Sequence, residues 1–128
     1  SLKVTTSAVN AVLEACGRLH QLDRTFATFD DVRRVFDLTP DLVSYNALLL
    51  ACAQPRAPQA GAALRVLADL REAGLEPDSE SYKYVLLSLA RCGEDDQVDE
   101  ILERMVYGGT APSSDTLTEL CQESLRRG

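Results

Sequence analysis

Asn10 and Asn46 are the residues whose type and spacing first raise a chemical question. Each lies in a run that otherwise favours helix, SAVNAVLEACG at residues 7 to 17 and VSYNALLLACA at residues 43 to 53. Ala or Leu would propagate a helix better at either place. The runs align without a gap, matching Asn10 to Asn46, Ala11 to Ala47, Leu13 to Leu49, Ala15 to Ala51 and Cys16 to Cys52. A carboxamide carries both donors and acceptors, so its chemistry is hydrogen-bonded recognition. The competing role for such a residue is a solvated or locally bonded helix position. Two carboxylates also recur, Asp41 and Asp78, each directly after a proline and before a helical stretch, where they suit helix N-caps.

Little else in the sequence has the pattern of a reaction centre. Cys16, Cys52, Cys92 and Cys121 show no CxxC spacing, and His20 is the only histidine, so no zinc site is expected. Cys16 and Cys52 fall at equivalent places on helices expected to pack roughly 8 to 10 Å apart, too far for the short Cα separation of a disulfide. Reduced, partly buried thiols are expected instead. The HxE and CxxC pattern of zinc deaminases is absent and no nucleophile and base pair is evident. The sequence therefore gives no support to an enzyme and implies no metal or cofactor.

The elements that must hold the asparagines emerge from the period of the chain. Pro40-Asp41, Pro77-Asp78 and Pro112-Ser113 are spaced 37 and then 35 residues apart. Each is followed by a helical stretch, at 42 to 54, 79 to 92 and 114 to 126, and the first two by a second helix before the next proline. Val98, Ile101, Leu102, Met105 and Val106 make one apolar stripe at i, i+3, i+4, i+7 and i+8. Ala60, Ala63, Leu64, Leu67 and Leu70 repeat it one unit earlier, with Gly74 as the helix stop, and Leu22, Phe26, Phe29, Val32 and Phe36 do so in the first unit. The stretch from Gln54 to Pro58 reads as a loop insertion. Two-helix units that each expose an apolar flank are stable only when stacked. The expected fold is all-α: a right-handed α-solenoid of antiparallel helix pairs, as one helical-repeat domain over residues 1 to 128.

Bulk properties limit the partners. The 128 residues are 45% apolar, enough for a continuous core. The longest purely apolar run, Ala47 to Ala53, is far below the roughly 20 residues of a membrane span, so a soluble protein without a membrane partner is expected. The first residues run straight into a helical pattern, so any targeting peptide would lie outside them and the segment reads as part of a longer chain. The net charge of -7 opposes a polyanionic partner, but six acids fall between Glu94 and Glu103, leaving the remainder near balance.

DLVSYNALLLACAQ, the unit end GLEPD and SYKYVLLSLARCGEDDQVDEILERMVYGGTAP closely resemble pentatricopeptide repeats. The resemblance spans three units, residues 6 to 41, 42 to 78 and 79 to 113, and a terminal helix at 114 to 126; unit ends of this kind disfavour the 34-residue tetratricopeptide repeat. It implies a module that binds single-stranded RNA along the first helices in a mitochondrial matrix or chloroplast stroma. It also implies base reading by the residue after the repeat tyrosine together with the last residue of the repeat. Asn10 with Asp41 and Asn46 with Asp78 would each prefer uracil. An amide can address a Watson-Crick edge, and one base per helical repeat is a known scheme.

By the same resemblance, each base is clamped by residues two positions before the repeat tyrosine, here Ser7, Val43, Glu80 and Asp115. Ser7 and Val43 are the clamp candidates, because Glu80 sets a charge against phosphate. Lys83 and Thr118 replace the asparagine in the third and fourth units. Arg18, Gln54, Arg91 and Arg126 occupy the row that faces the phosphate track, and the three arginines are the candidates for it. Arg33 and Arg34 are expected to face solvent.

Stacking contributes roughly 1 to 3 kcal/mol per base, so two reading units give at most about 6 kcal/mol, weaker than micromolar. The second reading is therefore a protein-interaction scaffold within an organellar ribonucleoprotein assembly, contacting a partner through the acidic third unit.

Overall fold

A computed structural model of the chain describes residues 5–19, 22–35, 37–54 and 58–127. Phe36, His20 and the middle of the loop insertion, residues 55–57, lie outside the described residues, as does the side chain of Arg33. Among the described residues there are seven helices and no strand: α1 (Thr6–Arg18), α2 (Leu22–Arg34), α3 (Leu42–Cys52), α4 (Ala60–Glu72), α5 (Ser79–Cys92), α6 (Asp95–Tyr107) and α7 (Ser114–Arg127).

The order of contacts makes the fold a solenoid. Among the described residues, helices α1, α3, α5 and α7 touch in succession, while α2, α4 and α6 pack on their own unit's first helix, α2 and α4 also on the next unit's, and no two of these three meet at the backbone. The odd-numbered helices thus form one continuous layer, here called the inner layer, with the even-numbered helices on its other side. Helix α3 is the centre of the stack, bounded by α1, α2, α4 and α5. It is apolar around nearly its whole circumference, as a helix enclosed by neighbours must be, and Tyr45, Ala47, Leu48, Leu49, Ala51 and Cys52 are all buried. The Tyr45 ring meets Phe29 of α2 edge-on, with centroids 5.0 Å apart.

The second helices bury most, but not all, of the stripes seen in the sequence. Val32, Ala63, Leu67, Leu70, Ile101 and Met105 are buried, whereas Leu64 and Leu102 are only partly so. Val106 is 68% exposed, contrary to the expected stripe, because the five-residue pattern winds off the face that α5 covers. Val66, not singled out in the sequence, takes a core position instead. Helix α4 stops as expected: Gly74 has φ +83, the left-handed conformation glycine adopts without cost, and Leu75 N–H closes the turn on Leu70 O at 3.2 Å. Gly93 ends α5 in the same way.

Cys16 and Cys52 are buried free thiols, and burial pushes the Cys52 thiol up to about 12. Cys92 and Cys121 are free and exposed rather than partly buried, although the Cys92 thiol lies 3.5 Å from Pro58 O. No helix among the described residues is long and apolar enough to cross a membrane.

Candidate functional site

Helix α3 begins with a capping box. Asp41 Oδ1 accepts the Ser44 N–H at 3.1 Å, and Ser44 Oγ accepts the Asp41 N–H at 3.2 Å. Into this cap reaches Asn10 from the preceding unit. Its Nδ2 donates to Asp41 Oδ1 at 2.9 Å, and its Oδ1 accepts the Ser44 hydroxyl at 2.5 Å. The next junction repeats every link: Asp78 caps α5 with Ser81, Asn46 Nδ2 donates to Asp78 Oδ1 at 3.2 Å, and the Ser81 hydroxyl donates to Asn46 Oδ1 at 2.5 Å. Each asparagine named from the sequence thus lies against the aspartate paired with it. Neither is a solvated helix residue, as Asn10 is 6% and Asn46 8% exposed, and their bonds run to the next unit rather than to their own turn.

The site retains free valences. Among the described residues, one amide N–H of each asparagine and Oδ2 of each aspartate have no hydrogen-bond partner. A donor therefore stands beside a carboxylate acceptor at both junctions, on the inner layer. Burial would raise the Asp41 carboxyl, but the Ser44 N–H, the Asn10 amide, the Ser44 hydroxyl and the Asp41 N–H outweigh it and hold the group below its ordinary value. The Asp78 carboxyl is lowered by the same balance with Ser81 and Asn46.

The third junction is built differently. Lys83 takes the asparagine's place and forms an ion pair with Glu119 at 3.6 Å. Ser113 takes the aspartate's place and shares a hydrogen bond with Thr116 at 2.9 Å. Thr118 donates to Ser114 O of its own helix at 2.8 Å. The donor and carboxylate pair ends after the second junction.

The flanking residues divide. Val43 is 45% exposed one turn before Asn46, open to a flat ligand, and Ser7 is also exposed. Glu80 and Asp115 are exposed acids at the corresponding places, and Gln54 donates to Leu50 O at 3.0 Å. Of the three arginines, Arg18 is exposed and makes no ion pair among the described residues. Arg91 is enclosed: its Nε lies 3.2 Å from Glu123 Oε1, and Nη1 donates to Ala53 O. It joins α5 to the end of α3 and to α7. Arg126 is more open but also meets Glu123, at 3.3 Å. Arg34 is exposed.

Beside Asn46 is a shallow pocket of about 130 Å³ lined by Glu14, Arg18, Ala47, Leu50, Glu80 and Tyr84. Burial raises the Tyr84 phenol, Glu80, Glu14 and Glu119 add to the rise, and Arg18 opposes it. Around Tyr84 the inner layer thus gathers three acids and two cations, Arg18 from α1 and Lys83, whose ammonium lies 6.0 Å from the ring centroid.

Sequence reasoning missed Ser44, Ser81 and Glu123. The first two had a signal: an aspartate followed three residues later by a hydroxyl side chain, a capping box with serine in place of Glu or Gln. The burial of Glu123 had none, because it depends on the approach of α7 to α5.

Comparison with known proteins agrees with this architecture. The family model described as the pentatricopeptide repeat domain matches residues 2–55 and 27–91. A mitochondrial pentatricopeptide repeat-containing protein of Arabidopsis thaliana is 29% identical over 122 residues, 95% of this chain and 19% of its own length. Small ribosomal subunit protein mL103 of the same plant is 27% identical over 101 residues, 78% of this chain and 24% of its own. The chain therefore spans about a fifth to a quarter of the curated relatives it matches. Among solved structures, the pentatricopeptide repeat protein PPR10 in complex with an 18-nt psaJ RNA element superposes with a TM-score of 0.78 at 29% identity, covering 94% of this chain and 17% of that one. The repeat domain of Arabidopsis thaliana protein-only RNase P 1, solved with tRNA, shares the fold at a TM-score of 0.76 and 19% identity, over 99% of this chain and 66% of that one.

Proposed function

Because this chain belongs to the pentatricopeptide repeat family, we propose that it is a non-catalytic module that binds single-stranded RNA in an organelle, one base per repeat at its first two junctions. The observation that carries this reading is the identical pairing of Asn10 with Asp41 and Asn46 with Asp78. Each pair offers an outward N–H beside a carboxylate oxygen. Uracil meets it with a carbonyl oxygen and a ring N–H, and its preference over cytosine follows because cytosine carries a lone pair on that ring nitrogen. Val43 flanks the second base and Ser7 the first. The RNA complex of a structural neighbour and the mitochondrial name of a relative support the partner and the compartment, the mitochondrial matrix or, by resemblance alone, the chloroplast stroma.

Arg18 is the best placed of the three arginines to contact a phosphate, since Arg91 and Arg126 already share Glu123. Three phosphate contacts would give a salt slope near -2 at roughly -0.7 each, and Arg18 alone about -0.7. The test is the affinity for single-stranded RNA across a salt series, in the wild type and in Arg18→Glu. A slope near the single-contact value that vanishes in the variant supports the reading; affinity indifferent to salt and to the reversal contradicts it.

A scaffold role in a ribonucleoprotein particle is the second reading, favoured by the acids outside the RNA-facing layer. Asp96, Asp99, Glu100 and Glu103 are all exposed on α6, and Asp30, Asp69 and Glu72 rim an aromatic-floored groove between α2 and α4. A relative that is itself a ribosomal subunit protein agrees with it.

A further inference from the structure

The geometry points to Ser44 and Ser81 as positioning residues that set which edge each asparagine presents to a base, an inference that rests on the base-reading proposal above. A carboxamide turned by 180° exchanges its oxygen and nitrogen, so base preference depends on what fixes its orientation. The carboxylate attracts the nitrogen, but it does nothing for the oxygen. That role falls to the serine. Ser44 Oγ accepts the Asp41 N–H, which leaves its single hydrogen to be donated. Two acceptors are in range, Asn10 Oδ1 at 2.5 Å and Asp41 Oδ1 at 3.0 Å. The hydrogen goes to the nearer, and Asp41 Oδ1 is already supplied by the Ser44 N–H and Asn10 Nδ2. Ser81 stands identically, 2.5 Å from Asn46 Oδ1 and 2.9 Å from Asp78 Oδ1.

The consequence is a closed ring of hydrogen bonds in which the amide oxygen points inward and one amide hydrogen points out. A base then meets a donor, which suits the carbonyl oxygen of uracil or guanine and not the amino group of cytosine or adenine. Without the hydroxyl, a nearly buried oxygen is left with no donor, a costly state, and only the bond from the amide nitrogen to the carboxylate still holds the group. The outward donor is then less firmly held, and the preference for a base carbonyl over an amino group falls. Ser44 acts only on the base read by Asn10, and Ser81 only on the base read by Asn46. The third junction fits the same logic: where Lys83 replaces the amide, the residue in the serine's place, Thr116, bonds to Ser113 instead.

The experiment is an NMR titration of the protein with short single-stranded RNAs that differ at one base, comparing wild type with Ser81→Ala, Ser81→Cys and Ser81→Thr. The Ala and Cys variants are expected to lower the preference for uracil over cytosine at the second position by about fivefold, the scale of one net hydrogen bond. Preference at the first position should stay unchanged, and Ser81→Thr, which keeps the hydroxyl, should retain both. Cys is nearly isosteric and a weak donor, so it carries the test if the Ala variant does not fold. Full uracil preference in a folded Ala or Cys variant overturns the role of Ser81. A wild type without preference at either position overturns base reading itself, a different result from the failure of the serine alone.

Discussion

Asp41 and Asp78 each cap a helix N-terminus, hold the asparagine of their own repeat and keep a second carboxylate oxygen free of protein donors among the described residues. Their carboxyls are held below the ordinary value near 3.9 by donors that exist only in the folded state. A depressed folded value means stability that is fully present above the unfolded pKa and lost as pH falls through the folded one. Asp78→Asn keeps a capping oxygen but removes the charge. Thermal unfolding should therefore show the wild type more stable than this variant at neutral pH, with the gap narrowing below about pH 4. A gap that does not change with pH would mean that the Asp78 charge contributes nothing to the junction. The asparagines were legible in the sequence because they recur in register, and the aspartates because proline precedes them. That they act as pairs was implied by family resemblance, but their direct contact was not legible, since residues 31 positions apart meet only once the helices are stacked. The serines remained hidden because a hydroxyl at the third helical position has an ordinary capping role.

At the level of the helices, periodicity recovered the order of elements and most of the buried positions. It failed where burial depends on which neighbour covers a face. Val106 has the spacing of a core residue but lies beyond the reach of α5, while Val66 lies in the core between units. Arg91 shows the same limit: its position near the end of α5 suits a solvent-facing cation, and only the approach of α7 encloses it with Glu123. Truncation of these side chains should follow burial and not the stripe. Leu70→Ala, at a fully buried site, is expected to cost about 2 to 5 kcal/mol in chemical unfolding, Leu102→Ala less, and Val106→Ala close to nothing. A large loss at Val106 would show that α6 packs with a different face inward.

Across the whole chain, the two reading junctions are adjacent and the acids lie mostly away from them, on α6 and around the groove between α2 and α4. Exceptions on the inner layer include Glu14 and Glu80, which line the pocket beside Asn46, Glu119, which is paired with Lys83, and the exposed Asp115. On the proposed reading the two junctions address two successive bases, with Arg18, Glu14 and Glu80 sharing the pocket beside the second. Such a footprint is worth at most about 6 kcal/mol, so discrimination between bases is a more telling quantity than affinity. Family resemblance associates threonine with aspartate in this position with guanine. The direct test is the relative affinity of wild type and Asn46→Thr for single-stranded RNAs that differ only at the base facing the second repeat. The account predicts a uracil preference in the wild type that moves toward guanine in the variant, with contacts to phosphate unaltered. Equal affinity for all four bases in the wild type, or an unchanged preference in a folded variant, would contradict it.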